Sequence, residues 1–108
     1  MATPEGKVKD MVRRKMVAAF PKCYRFMPVQ SGMGATTLDF LYCVEGLFVA
    51  IETKAGTKKP TPRQAYVADQ ITAAGGLSFV VRDEQSMDWA IAQVFYKVNF
   101  DARHRLEG

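Results

Sequence analysis

Apolar residues recur along the first twenty positions with helical spacing. Val8, Met11, Val12, Met16 and Ala19 share one side of a helix that Thr3 caps, Pro4 opens and Pro21 ends, which predicts a helix over residues 4 to 19. Beyond it the pattern shortens to strand-like runs. Tyr24 to Val29 reads as a short strand, with Pro28 placing it at an edge or a strand end. Residues 30 to 35, Gln-Ser-Gly-Met-Gly-Ala, read as a glycine-containing loop. Two apolar runs follow, TLDFLYCV and LFVAIETK, joined by Glu45-Gly46. Their turn-proximal ends are apolar on both faces, as expected of inner strands. Thr61-Pro62 repeats the cap-plus-proline signature and opens a helix to about Ala74, which Gly75-Gly76 terminates. Leu77 to Val81 is a further buried strand. Ser86 is then expected to cap a last helix with Met87, Ala90, Ile91, Val94, Phe95 and Val98 on one stripe and Trp89, Tyr96 and Phe100 completing the core. This order, αβββαβα, predicts an α/β sandwich around a mixed central sheet of about four strands flanked by helices.

The hairpin makes a chemical statement. Glu45-Gly46 is a two-residue turn signal, so Val44 faces Leu47 and the pairing runs back to set Asp39 opposite Glu52. Opposed side chains lie about 5 Å apart on one face. Two carboxylates at that distance repel by about 3 kcal/mol at an effective dielectric near 20, so a cation is required. Lys54 shares the face of Glu52 by the period-two rule, yet one ammonium leaves the pair net negative. A divalent ion completes the balance, and two carboxylates with carbonyls and retained waters suit Mg²⁺. The same charges also fit a solvent-facing hairpin end with an exposed ion pair. Glu5 falls on the apolar side of the first helix, either as an acid at the positive helix end or as a further member of the site.

Composition narrows the setting. The chain has 108 residues, 48% hydrophobic and 24% charged, which fits one globular domain spanning 1 to 108. No apolar run approaches the ~20 residues of a membrane span, and the N-terminus lacks a secretory h-region, so a soluble intracellular, cytoplasmic protein is expected. Net charge is +4, with basic clusters at VRRK, TKKPTPR and ARHR, which suit a polyanion partner or a solvated basic surface. Cys23 and Cys43 form no metal or redox motif and are expected to be reduced, small apolar side chains. No GxxxxGK[ST] loop is present, so no nucleotide cofactor is expected. The single histidine, His104, sits in a basic tail and reads as solvated, which disfavours nucleases that use a histidine base. Phosphodiester hydrolysis by carboxylate-held metal with a lysine beside it suits these residues.

Asp39, twelve intervening residues and then Glu52-Thr53-Lys54, after a helix bearing Glu5, resembles the PD-(D/E)XK nuclease superfamily. The continuation resembles its VRR-Nuc (virus-type replication-repair nuclease) branch: a glycine-containing loop before the aspartate, a basic Gly-Thr-Lys-Lys loop, Pro62-Arg63-Gln64 opening a helix, and Gly75-Gly76 before an apolar strand. The likeness covers roughly residues 3 to 83, with Leu38 where many members carry proline. It implies a restriction-endonuclease-like sandwich and a Mg²⁺- or Mn²⁺-dependent endonuclease. Asp39, Glu52, the Thr53 carbonyl and Glu5 would serve the metal, Lys54 would be the catalytic lysine, and Gln64 would support the site. It further implies branched DNA such as Holliday junctions as substrate and a homodimer; the last helix and tail, outside the shared core, are candidates for its interface. Flap, end-directed or sequence-specific cutting, or a non-catalytic DNA-binding module, are the alternatives. Arg13, Arg14, Lys58, Lys59 and Arg63 are the residues placed to contact phosphates, or are ordinary solvated charge.

Overall fold

The computed structural model describes residues 3–29 and 37–107, with 104–107 through their backbone alone. The expected glycine loop and the His104 side chain lie outside the described residues. The elements are helix α1 (Pro4–Ala19), strands β1 (Tyr24–Phe26), β2 (Phe40–Val44) and β3 (Leu47–Thr53), helix α2 (Pro62–Ala73), strand β4 (Leu77–Val81) and helix α3 (Glu84–Glu107). Their order is the one the hydrophobic pattern predicts. β1 is shorter than expected, stopping before Pro28.

Local chemistry sets the helix starts. Thr3 accepts the Gly6 N–H at 2.9 Å, and Thr61 and Gln64 form a reciprocal capping box at the start of α2. The third helix corrects the sequence reading. Asp83, rather than Ser86, is its cap: Asp83 Oδ1 accepts the Ser86 N–H at 2.8 Å and the Asp83 carbonyl accepts the Met87 N–H at 3.1 Å. Ser86 sits inside the first turn and accepts the Asp83 N–H in return, at 3.1 Å. With two capping residue types three apart, the earlier one satisfies more of the unpaired donors.

The four strands lie in the order β1-β2-β3-β4. β1, β2 and β3 are antiparallel neighbours, while β3 and β4 run parallel, with α2 as the crossover between them. The hairpin pairs Val44 with Leu47 and continues to Phe40 with Ile51, the predicted register. Glu45 and Gly46 both take positive φ, 50° and 86°, the geometry that a tight two-residue hairpin turn requires.

Alternation then divides the sheet faces. Phe40, Tyr42, Val44, Leu47, Val49, Ile51 and Val81 point into a core closed by Met11, Val12 and Met16 of α1 and Met87, Ala90, Val94 and Val98 of α3. The opposite face is covered less completely. α2 lies over the β3–β4 half, where the Ser78 hydroxyl donates to the Ala68 carbonyl at 3.4 Å, and it has no fully buried residue. Beside it Phe48 stays 44% exposed and Cys43 is open to solvent, so near the turn the hairpin is buried on one face only, while farther along β3 Ala50 and Glu52 are buried on the second face as well. Cys43 is therefore not the enclosed apolar thiol the sequence suggests, whereas Cys23 is half-buried; both are free.

The outer side of α3 also departs from expectation. Trp89, Tyr96 and Phe100 are 60%, 71% and 43% exposed instead of completing the core. A helix of 24 residues extends for about 36 Å, well past strands of five to seven residues, so only one stripe of it finds a partner. Trp89 keeps an edge contact with Phe79, and Tyr96 stacks on Phe100 with ring centroids 6.4 Å apart.

Candidate functional site

The hairpin carries its charged residues to one end of the sheet. The β2–β3 ladder ends at Phe40 and Ile51, so Asp39 lies one residue beyond β2 and its backbone bends. Its main-chain N–H donates to Glu52 Oε1 at 3.1 Å. Its carboxylate turns to the end of β3, where Oδ2 accepts both the Thr53 N–H at 3.0 Å and the Thr53 hydroxyl at 2.6 Å. Side-chain oxygens thus take over where main-chain pairing stops. Asp39 and Glu52 do meet at the hairpin end, though through a bent chain rather than as a regular cross-strand pair.

Two ammonium groups flank the acids. Lys54 Nζ stands 3.2 Å from Glu52 Oε2, and Lys9 Nζ of α1 stands 3.9 Å from Asp39 Oδ1. The charge balance therefore differs from the sequence reading, which counted Lys54 alone. Glu52 is only 3% exposed. Burial first, and then the nearby Asp39 charge, push its carboxyl above the ordinary value of 4.5, while Lys54 and the Asp39 N–H oppose the rise.

This has a measurable consequence for stability. A carboxyl whose folded pKa is raised favours the native state fully below 4.5, and that contribution is lost as pH climbs through the higher folded value. In EDTA, Glu52→Gln, a stand-in for the protonated carboxyl, should therefore track the wild type below about pH 4.5 and become progressively more stable than it as pH rises through the folded value. Urea titrations at successive pH values measure it. Parallel profiles for the two proteins would rule out a strained Glu52.

The remaining predicted residues divide. Glu5 is half-buried one helical turn before Lys9, but among the described residues no cluster of three or more acid, histidine or cysteine side chains is placed to hold a metal. Gln64 borders the same cleft as Glu52, Leu38, Ala68 and Val80, a space of about 200 Å³. Its Oε1 is taken by the Thr61 N–H at 2.9 Å, which leaves its amide nitrogen for any part in the site. Asp69 of α2, which no sequence motif singles out, lines that cleft too.

Among the basic residues, Arg13 is tied to Asp10 and lies 3.6 Å from the Met27 sulfur, and Arg14 reaches Glu84 at 3.6 Å. These two brace α1 against its surroundings. Lys58, Lys59 and Arg63 are exposed and, among the described residues, outside any ion pair. Arg82, just past β4, donates to the carbonyls of Gly56 and Lys58 and so pins the loop that bears them.

The sequence reading missed Lys9 and the side-chain role of Thr53. Only the i, i+4 spacing from Glu5 could have marked Lys9 as sharing its side of the helix.

A mixed sheet between helical layers, with an acid pair and a lysine at the ends of its central hairpin, has the form of an α/β nuclease-type sandwich. More narrowly, the fold is that of VRR-Nuc domains: a solved structure described as "VRR_NUC domain" matches with a TM-score of 0.70 over 84% of this chain and 97% of its own, at 24% sequence identity. Likeness at that identity speaks for the fold. No family model and no curated protein matches the chain. Among the described residues, no helix is long and apolar enough to cross a membrane.

Proposed function

We propose that the protein is a divalent-metal-dependent endonuclease that hydrolyses phosphodiester bonds in branched DNA such as Holliday junctions. The observation that carries this reading is the convergence of Asp39, Glu52 and Lys54 at one sheet end in a VRR-Nuc fold. The donors suit the ion. Two carboxylates and the Thr53 carbonyl are hard oxygens, which Mg²⁺ and Mn²⁺ accept while keeping several waters. Asp39, Glu52 and Thr53 would hold the metal, and Glu5 would contribute directly or through water. When bound, the ion neutralises charge at the scissile phosphate and activates the attacking water.

The chain's own groups do the rest. Lys54 orients that water and stabilises developing negative charge, in a position nearly closed to solvent. Thr53 fixes the Asp39 carboxylate through two donated hydrogen bonds, and Gln64 supports the site from α2. Lys58, Lys59 and Arg63 offer unpaired charge to backbone phosphates. Arg13 and Arg14, held by acids, have a smaller part in such contacts. The exposed aromatic side of α3 supports a homodimer, which would bring two sites to symmetric strands.

The test is a cleavage panel: labelled four-way junction, flap and linear duplex with Mg²⁺, Mn²⁺ or EDTA, using protein whose mass is read by light scattering. Expected are junction cutting in either metal, none in EDTA, and a mass about twice the 12.1 kDa of the chain. Binding without cutting in every metal would point to a non-catalytic module. Equal cutting of linear duplex would remove structure selectivity.

A further inference from the structure

We infer that Lys9 is a built-in counter-ion of the acid pair, holding Asp39 when no divalent ion is bound and competing with that ion for the same carboxylate. This rests on the metal reading above and adds a residue from a different element to it. The four carboxylate oxygens have four distinct environments. Thr53 saturates Asp39 Oδ2, the Asp39 N–H takes Glu52 Oε1, and Lys54 takes Glu52 Oε2. Among the described residues Asp39 Oδ1 is left to Lys9, at 3.9 Å the longest of these contacts.

Charge gives the same division. Two carboxylates and two ammonium groups are neutral together, so the acids stay side by side without a metal. An incoming ion needs an Asp39 oxygen. Taking Oδ2 breaks two hydrogen bonds, whereas taking Oδ1 displaces only the distant ammonium. Lys9 can yield, because its side chain is 33% exposed and its flexible stem can carry the charge into water. Asp39 is 15% exposed, and Lys54 at 13% is far more enclosed than Lys9. Lys9 is thus the exchangeable member of the set and Lys54 the resident one.

A cation at this range opposes a divalent ion, so its removal should tighten metal binding on the order of tenfold at low salt, and less at high salt. The experiment titrates Mn²⁺ into the full chain, followed by calorimetry and by melting temperature with Mn²⁺ or EDTA. Lys9→Met, Lys9→Arg, Asp39→Asn and, as a control on the same helix, exposed Lys7→Met are compared with wild type. Lys9→Met is expected to bind Mn²⁺ about tenfold more tightly and to melt a few degrees lower in EDTA, while Lys9→Arg and Lys7→Met track wild type. If Asp39→Asn loses Mn²⁺ but Lys9→Met binds it no better than wild type, the competition is refuted and the metal reading survives. If wild type takes up no Mn²⁺, the metal reading and the competition fail together. In that case a Lys9→Met protein as stable in EDTA as Lys7→Met removes the counter-ion role as well.

Discussion

Lys54→Ala is expected to slow Mg²⁺-dependent junction cleavage by about 10²- to 10⁴-fold while leaving junction affinity within a few-fold of wild type. The expectation follows from where the ammonium sits: 3.2 Å from the Glu52 carboxylate that the proposed metal would share, 13% exposed, and outside the exposed basic loop that would grip phosphates. Lost grip would appear in the binding constant; lost chemistry appears in the rate. Because Glu52 is almost wholly buried, removing its ammonium also leaves a charge that costs about 3–5 kcal/mol unless the carboxyl takes up a proton. Single-turnover rates must therefore be compared on protein shown to be folded by circular dichroism. A variant that cuts within tenfold of wild type would leave Lys54 without a catalytic part.

Phe40→Ala is expected to be the most damaging substitution for stability. Phe40 is fully buried, stacks on Tyr42 with centroids 5.9 Å apart, and is the first residue of β2, at the open end of its pairing with β3. Truncation of such a ring costs about 3–5 kcal/mol, through lost transfer energy and the cavity left behind. A domain of this size commonly has 5–15 kcal/mol in total, so the melting temperature should drop by roughly 15–30 °C. Asp39 is the residue immediately before it, and its grip on Thr53 should loosen at the same time. Calorimetry would check the first expectation. A melting point within about 5 °C of wild type would mean that the ring carries little of the core.

The hairpin was readable because its information is local. Glu45-Gly46 can turn tightly in one way, and once Val44 faces Leu47 the meeting of Asp39 and Glu52 follows by counting. The bend at Asp39 was not readable, because it depends on Thr53 offering an N–H and a hydroxyl to one carboxylate oxygen. Lys9 was hidden for a different reason. Its contact with Asp39 spans thirty positions and depends on how α1 is rotated over the sheet, which hydrophobic spacing fixes only to within a broad stripe. The aromatics of α3 were misplaced because periodicity assigns a side to a residue but not the length of sheet lying beneath it. Asp83 was passed over because Ser86 is an equally good capping type, and only the hydrogen bonds distinguish them.

The guanidinium of Arg82 ties the loop carrying Lys58 and Lys59 into one shape through the Gly56 and Lys58 carbonyls. A free loop of that composition would have to freeze its main chain at the moment of contact, and association would be weakened accordingly. Here that ordering is completed when the polypeptide folds. Encounter with an anionic surface is left to settle only the lysine side chains, so complexes through this loop should form quickly and with little rearrangement of the backbone.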